Sequence, residues 1–168
     1  MPAKSKSGGR QEKMRELLAY QLSGHGAHIP FAAAVKDFPM ELAGNRVPRL
    51  DHTAWGLVYH LRIAQWDMLE YARGGEHEAL HYPSGYWPNT DSPQDAQEWD
   101  RTVRSFGRDL KALERLVRDP QRDLYAPLRP DGDWSLLQQA TLVIDHNAYH
   151  IGQLVDLRML LGVPVRDW

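Results

Sequence analysis

The sequence predicts an all-α protein, a four-helix bundle with a long linker between its second and third helices. Leu, Ala and charged residues dominate the periodic segments, β-branched runs are few, and no stretch alternates apolar with polar residues as a half-buried strand would. Four segments carry apolar residues at steps of three and four, and each is bounded by glycine, proline or capping residues. The 168 residues, 42% of them hydrophobic, suffice for one domain around one core.

Residues 1–10, MPAKSKSGGR, are small, basic and glycine-rich, with too little apolar surface to pack, so a flexible tail is expected there and a single domain over 11–168. From about Gln11 to Ser23, Met14, Leu17, Leu18 and Leu22 form a helical stripe that Gly24 and Gly26 interrupt. Pro30 can open a short helix through Phe31, Ala34 and Val35 that stops near Pro39, because proline suits a first turn and not a helix interior. Residues from Gly44 to Leu50 form a connection. The second long helix begins near Thr53, an N-cap, and runs to about Ala72, where Gly74 and Gly75 end it.

From Arg73 to Asp91 the chain is aperiodic and rich in histidine, proline and aromatic residues, with HEALHYPSGYWPNTD at its heart. A link of this length is more often a functional or packed loop than slack chain. It is also long enough to return along a bundle, so that the following helix runs parallel to the one before. Ser92, Pro93 and Asp95 together supply a cap, a first-turn proline and an acidic third position for the third helix. Its stripe is Trp99, Val103, Phe106, Leu110, Leu113 and Val117, and it ends at Asp119–Pro120. Ser135 and Gln138 form a capping-box pattern for the fourth helix, which Gly162, Val163 and Pro164 stop.

Bulk properties exclude several function classes. A net charge of -2 with acids and bases interspersed leaves no broad basic field for nucleic acid or anionic lipid. No apolar run reaches the roughly 18 residues a membrane span needs, and the N-terminus lacks the apolar block of a secretion signal, so a soluble, cytoplasmic protein is expected. The chain has no cysteine, which excludes disulfides, thiolate ligands and a cysteine nucleophile. Any thiol chemistry therefore needs a cosubstrate.

The chemistry concentrates in LVIDHNAYHIGQLVDLRMLL, from Leu142 to Leu161. His146 and His150 stand four residues apart, one helical turn, on the face that also carries Val143, Leu154, Leu157 and Leu161. Upstream, His60 sits among Leu57, Leu61, Ala64 and Met68 at helical spacing. Neutral imidazoles bind zinc, nickel, iron or copper, and three of them leave a position for water or substrate, as catalytic sites do and closed structural sites do not. A lone inward histidine is more often a hydrogen-bonded core residue than a ligand. Three without partners would cost about 1 to 3 kcal/mol for each unsatisfied group, and one shared metal satisfies a nitrogen on each. On spacing alone both readings stand. HNAYH has no glutamate and is not the zinc-protease HExxH pair.

Asp67, Gln139 and Gln153 lie near the histidine face and are candidates to orient a ligand or touch a substrate, each of them equally readable as an ordinary buried or rim polar residue, and Asp67, about 10.5 Å along the helix from His60, is too far to be an obvious fourth ligand. His25, His28, His77 and His81 read as surface or loop polarity, and His52 as a residue that caps or flanks the second helix. Trp55, Trp66, Trp87, Trp99 and Trp134 are expected to fill the core and helix ends, with Tyr86-Trp87-Pro88 a segment suited to covering a pocket.

HTAWGLVYHLRIAQWDMLEY in the second helix, YWP in the linker and DHNAYHIGQLVDLRMLLG in the fourth, taken in order, resemble the DinB-like family, in the branch with a tryptophan-rich linker. The likeness spans roughly Leu17 to Leu161. It implies a four-helix bundle of up-down-down-up course, often a homodimer, with a divalent metal held by three histidines that match His60, His146 and His150. Zinc or nickel is the first expectation for that ion, manganese or iron the next. Similar proteins include thiol-dependent transferases and isomerases using low-molecular-weight thiols, so the resemblance implies a metal-dependent enzyme of thiol-dependent transfer or related hydrolysis, acting on a small molecule with a low-molecular-weight thiol as cosubstrate. The alternative is a non-catalytic metal-binding or interaction protein, because fold and metal do not determine substrate.

Overall fold

The structure, a computed structural model, describes residues 6–130 and 132–165. Among these the regular elements are helices: α1 (Lys6–Leu22), α2 (Phe31–Val35), a single 3-10 turn (Met40–Leu42), α3 (Ala54–Arg73), α4 (Ala96–Arg118) and α5 (Leu136–Leu160). An isolated bridge pairs Pro127 with Ser135. None of these helices is long and apolar enough to cross a membrane.

The four long helices are the expected ones, and α1 and α3 each pack against both α4 and α5. Two apolar clusters fill the space between them. One joins Trp55, Leu57 and Leu61 of α3 with Trp99 and Phe106 of α4, Leu154 and Leu157 of α5, and Phe31 and Phe38 of the α2 region. The other joins Leu18 and Leu22 of α1 with Leu69 and Ala72 of α3, Leu113 and Val117 of α4, and Leu136 and Val143 of α5. The α4 stripe lies where its period places it, with Val103 and Leu110 at the edge of the core.

Local signals explain most boundaries. Thr53 Oγ1 accepts a hydrogen bond from the Gly56 amide at 3.0 Å, and Gly74, at φ 78°, caps the other end of α3 in the left-handed region that glycine enters without cost. A Cβ at Gly74 would also lie 2.8 Å from the Leu128 carbonyl oxygen. The capping box of α5 forms as expected, with Ser135 and Gln138 bonded reciprocally.

Three elements differ from expectation. Helix α1 extends back to Lys6, into the stretch expected to be a tail, because lengthening a helix already anchored by packing costs far less than nucleating one; residues 1–5 of that stretch lie outside the described residues. Leu17, expected in the α1 stripe, is half exposed, whereas Arg15 is buried beside Leu18 and Leu22, and its guanidinium donates to the Val117 carbonyl at 2.7 Å and to that of Arg122, satisfying carbonyls at and beyond the end of α4. Helix α2 stops at Val35 and not near Pro39, with Pro30 as its N-cap; buried Arg158 of α5 donates to the Ala34 and Lys36 carbonyls at 2.7 and 2.8 Å. Helix α4 starts at Ala96, not beside Ser92. Asp95 accepts from the Glu98 amide at 2.7 Å and so outcompetes Ser92 as cap, while the Ser92 hydroxyl fills the space where Gly44 lacks a Cβ.

Candidate metal centre

Helix α3 presents His60 and helix α5 presents His146 and His150 to the same point. His60 Nε2 lies 3.0 Å from Nε2 of His146 and 3.2 Å from Nε2 of His150. His60 and His150 are buried, His146 is partly exposed, and their ligand atoms all fall within 4.8 Å of one another, a group that could hold a metal ion.

The far side of each ring decides what the near side offers. His60 Nδ1 donates to the backbone carbonyl of Tyr86 at 3.1 Å, and His150 Nδ1 donates to Gln153 Oε1 at 2.6 Å. A neutral imidazole carries one N–H, so both rings are left with a bare lone pair on Nε2. His146 Nδ1 is buried and has no hydrogen-bond partner. Burial pushes His60 and His146 down to about 4, with the neighbouring imidazoles adding to the effect, and burial also lowers His150. At neutral pH the centre is thus three uncharged rings, two of them aiming lone pairs at each other with no proton between.

A cation resolves that conflict, and the spacing suits one. Two nitrogens each about 2.0–2.1 Å from a common ion, at angles between square and tetrahedral, stand about 2.8–3.4 Å apart. The observed 3.0 and 3.2 Å fall inside this range. The donor set, neutral nitrogen without thiolate or carboxylate, is of the kind that suits zinc, nickel, iron or copper.

Of the residues expected to support the histidines, Gln153 does so directly, through His150. Asp67 touches no ligand. Its Oδ1 pairs with Nε2 of His77 at 2.7 Å and its Oδ2 accepts from the Tyr86 hydroxyl at 2.9 Å, so it fastens the linker to α3. Burial and this carboxylate push the Tyr86 phenol up to about 12. Gln139 is buried with its Oε1 unpartnered and makes no hydrogen bond to the centre. His77, expected to be loop polarity, is half-buried on Asp67, because an unpaired carboxylate on α3 draws the first donor the linker brings past it. His25 bonds to Ser23 and stacks on Tyr20, while His28 and His81 bond to Ile29 and Ser84, all close in sequence.

The linker contributes what spacing could not reveal. Trp87 lies flat on His60, with centroids 4.0 Å apart and planes 2° from parallel, and His52 stacks on Trp87 at 4.1 Å and 9°. Tyr149, largely exposed, stands edge-on to His150 at 4.9 Å. The only advance signal for Trp87 was the aromatic density of YWP; the Tyr86 carbonyl, being backbone, left none.

No curated protein and no solved structure matches the chain. A family model described as the DinB superfamily matches residues 30–154, a span that contains α2, α3, the linker, α4, most of α5 and all three histidines. With its helices and its histidine cluster in place, the chain belongs to the DinB superfamily.

Proposed function

We propose that the protein is a divalent-metal-dependent enzyme of thiol-dependent transfer or a related hydrolysis, with Nε2 of His60, His146 and His150 holding the ion. The observation that carries this reading is that Nε2 of His60 stands 3.0 Å from Nε2 of His146 and 3.2 Å from Nε2 of His150, with the protons of His60 and His150 committed elsewhere. When bound, a divalent ion supplies Lewis acidity and lowers the pKa of a thiol or water brought to it. The chain itself offers no thiol, which fits a low-molecular-weight thiol as cosubstrate. Gln153 and the Tyr86 carbonyl hold two rings in the binding tautomer. Trp87 covers one face of His60 and excludes water there, while exposed Tyr149 and partly exposed His146 mark the side from which a small-molecule substrate reaches the centre.

The same reading includes an up-down-down-up course, supported by Trp55 and Trp99, from the first turns of α3 and α4, sharing a cluster with the last turns of α5. It includes a homodimer, supported by exposed Leu142 and Leu160 on α5, and a cytoplasmic protein that binds neither nucleic acid nor membrane, supported by the near-neutral charge.

Elemental analysis after purification without a histidine tag tests the reading. Near-stoichiometric divalent metal is expected in the wild type and a large loss in His60→Ala, His146→Ala and His150→Ala, followed by turnover of an electrophile with a low-molecular-weight thiol by the loaded protein. A folded wild type that stays empty after exposure to zinc, nickel, manganese and iron would sink it. One observation favours a second reading, a non-catalytic metal-binding or interaction protein: the centre ties α3, α5 and the linker together, as a staple would. In that case the loaded protein gains thermal stability and neither binds nor turns over a thiol.

A further inference from the structure

The linker is bound to the histidine centre through a continuous set of contacts. Asp67 lies seven residues beyond His60 on α3, about two helical turns. Its two carboxylate oxygens receive His77 and the Tyr86 hydroxyl, the beginning and the later part of the linker. The same Tyr86, through its backbone carbonyl, accepts the Nδ1 proton of His60. The next residue, Trp87, lies flat on that ring. The last two of these contacts act directly on His60, the single ligand that α3 supplies, and Trp87 also stands edge-on to His150 at 6.2 Å, while His146 and His150 share one helix and hold their spacing by its geometry.

From this we infer that Tyr86 and Trp87 are positioning residues for the centre, with Asp67 anchoring them, and that metal binding and linker order are coupled. The inference rests on the metal-site reading and adds the residues that set the site's affinity. With Nδ1 protonated, His60 can offer only Nε2 to an ion, and the Tyr86 carbonyl is the group that keeps the proton there. That carbonyl belongs to an aperiodic segment, so its place depends on the side-chain anchor between the Tyr86 hydroxyl and Asp67. An ion that requires His60 in this tautomer favours the closed linker, and by linkage a closed linker raises affinity for the ion by the same factor.

The test is zinc affinity, by competition with a chromophoric chelator, combined with hydrogen exchange of the linker amides in the metal-free and zinc-loaded protein. Tyr86→Phe removes the hydroxyl and keeps ring and carbonyl. Together with Asp67→Asn it is expected to weaken zinc binding about 10-fold, near the lower end for loss of such supporting contacts. Because Asp67→Asn disturbs the Tyr86 contact along with the one to His77, the double variant should fall about as far as Asp67→Asn alone. Trp87→Phe, which keeps a stacking ring, should stay within about threefold of wild type, whereas Trp87→Ala should not. In the wild type, zinc should slow exchange between residues 76 and 88, and Tyr86→Phe should lose most of that protection. Tyr82→Phe, an exposed residue of the same linker, serves as the control and should change neither readout. A wild type that binds zinc while Tyr86→Phe and Asp67→Asn bind equally tightly, with linker exchange indifferent to zinc, overturns the inference and leaves the metal site standing. A wild type that binds no zinc overturns both.

Discussion

At the scale of the residue, the centre is held neutral by burial, and this makes a pH prediction for the metal-free protein. His60 and His146 are pushed down to about 4 from an ordinary 6.5, so as pH falls below 6.5 the unfolded chain takes up protons that the folded chain refuses. These two histidines therefore lower stability as pH falls across the window from 6.5 to about 4, and their contribution to the drop ends below it, where both states are protonated. Urea midpoints measured in chelator across this window should fall more steeply for wild type than for His146→Gln; parallel curves would show that this imidazole is not shielded. A second residue-scale prediction concerns the buried pair beside the ligands. Asn147 donates from Nδ2 to Gln65 Oε1 at 3.0 Å, with Gln65 fully buried. Asn147→Ala strands that acceptor and should cost about 1–3 kcal/mol in chemical denaturation, and an unchanged midpoint would mean that the pair contributes nothing. The three histidines were legible in the sequence because only two segments place histidine on an apolar helical face. Tyr86-Trp87-Pro88 was legible as a covering segment, but the stacking of Trp87 on His60 and the bond to the Tyr86 carbonyl were not, because an aperiodic linker carries no rule that says where its residues return to the bundle.

At the scale of the element, helix ends carry the clearest consequences. Asp95 is the sole side-chain cap at the start of α4, accepting from the Glu98 amide, while Glu98 reaches back to the Gln94 amide at 2.6 Å. Asp95→Ala should destabilise the protein by about 1 kcal/mol, and Ser92→Ala by much less, although Ser92 is the more conspicuous cap in the sequence. Thermal denaturation of the two variants side by side checks this; a larger effect at Ser92 would place the start of α4 earlier. Capping residues and apolar period are local, so the existence of all four long helices was legible. Two overlapping start signals within four residues are decided by tertiary contact, here the fit of Ser92 against Gly44, and no local rule ranks them. Arg15 and Arg158 were hidden for the same reason. A buried arginine makes sense only once the carbonyls that receive it, at Val117, Ala34 and Lys36, are known.

At the scale of the whole molecule, the centre is a junction. It binds α3 to α5 and, through Tyr86 and Trp87, fixes the linker over both. An unfolded chain presents the same three imidazoles far apart in sequence, with His60 more than 80 residues from the other two, so it binds an ion far more weakly than the folded chain. Free zinc at about 100 times its dissociation constant should then add about 2.7 kcal/mol to folding stability. For a chain of this length that corresponds to a rise of roughly 5–10 °C in Tm, at about 2–4 °C per kcal/mol. Excess chelator should reverse the shift, and His146→Ala should show almost none of it. Tyr86→Phe should retain a smaller shift at the same zinc concentration, since its lower affinity leaves less of the linkage energy. An ion bound at full stoichiometry with no change in Tm would mean that folded and unfolded chains hold it equally, and the centre would then not be the junction that ties these elements together.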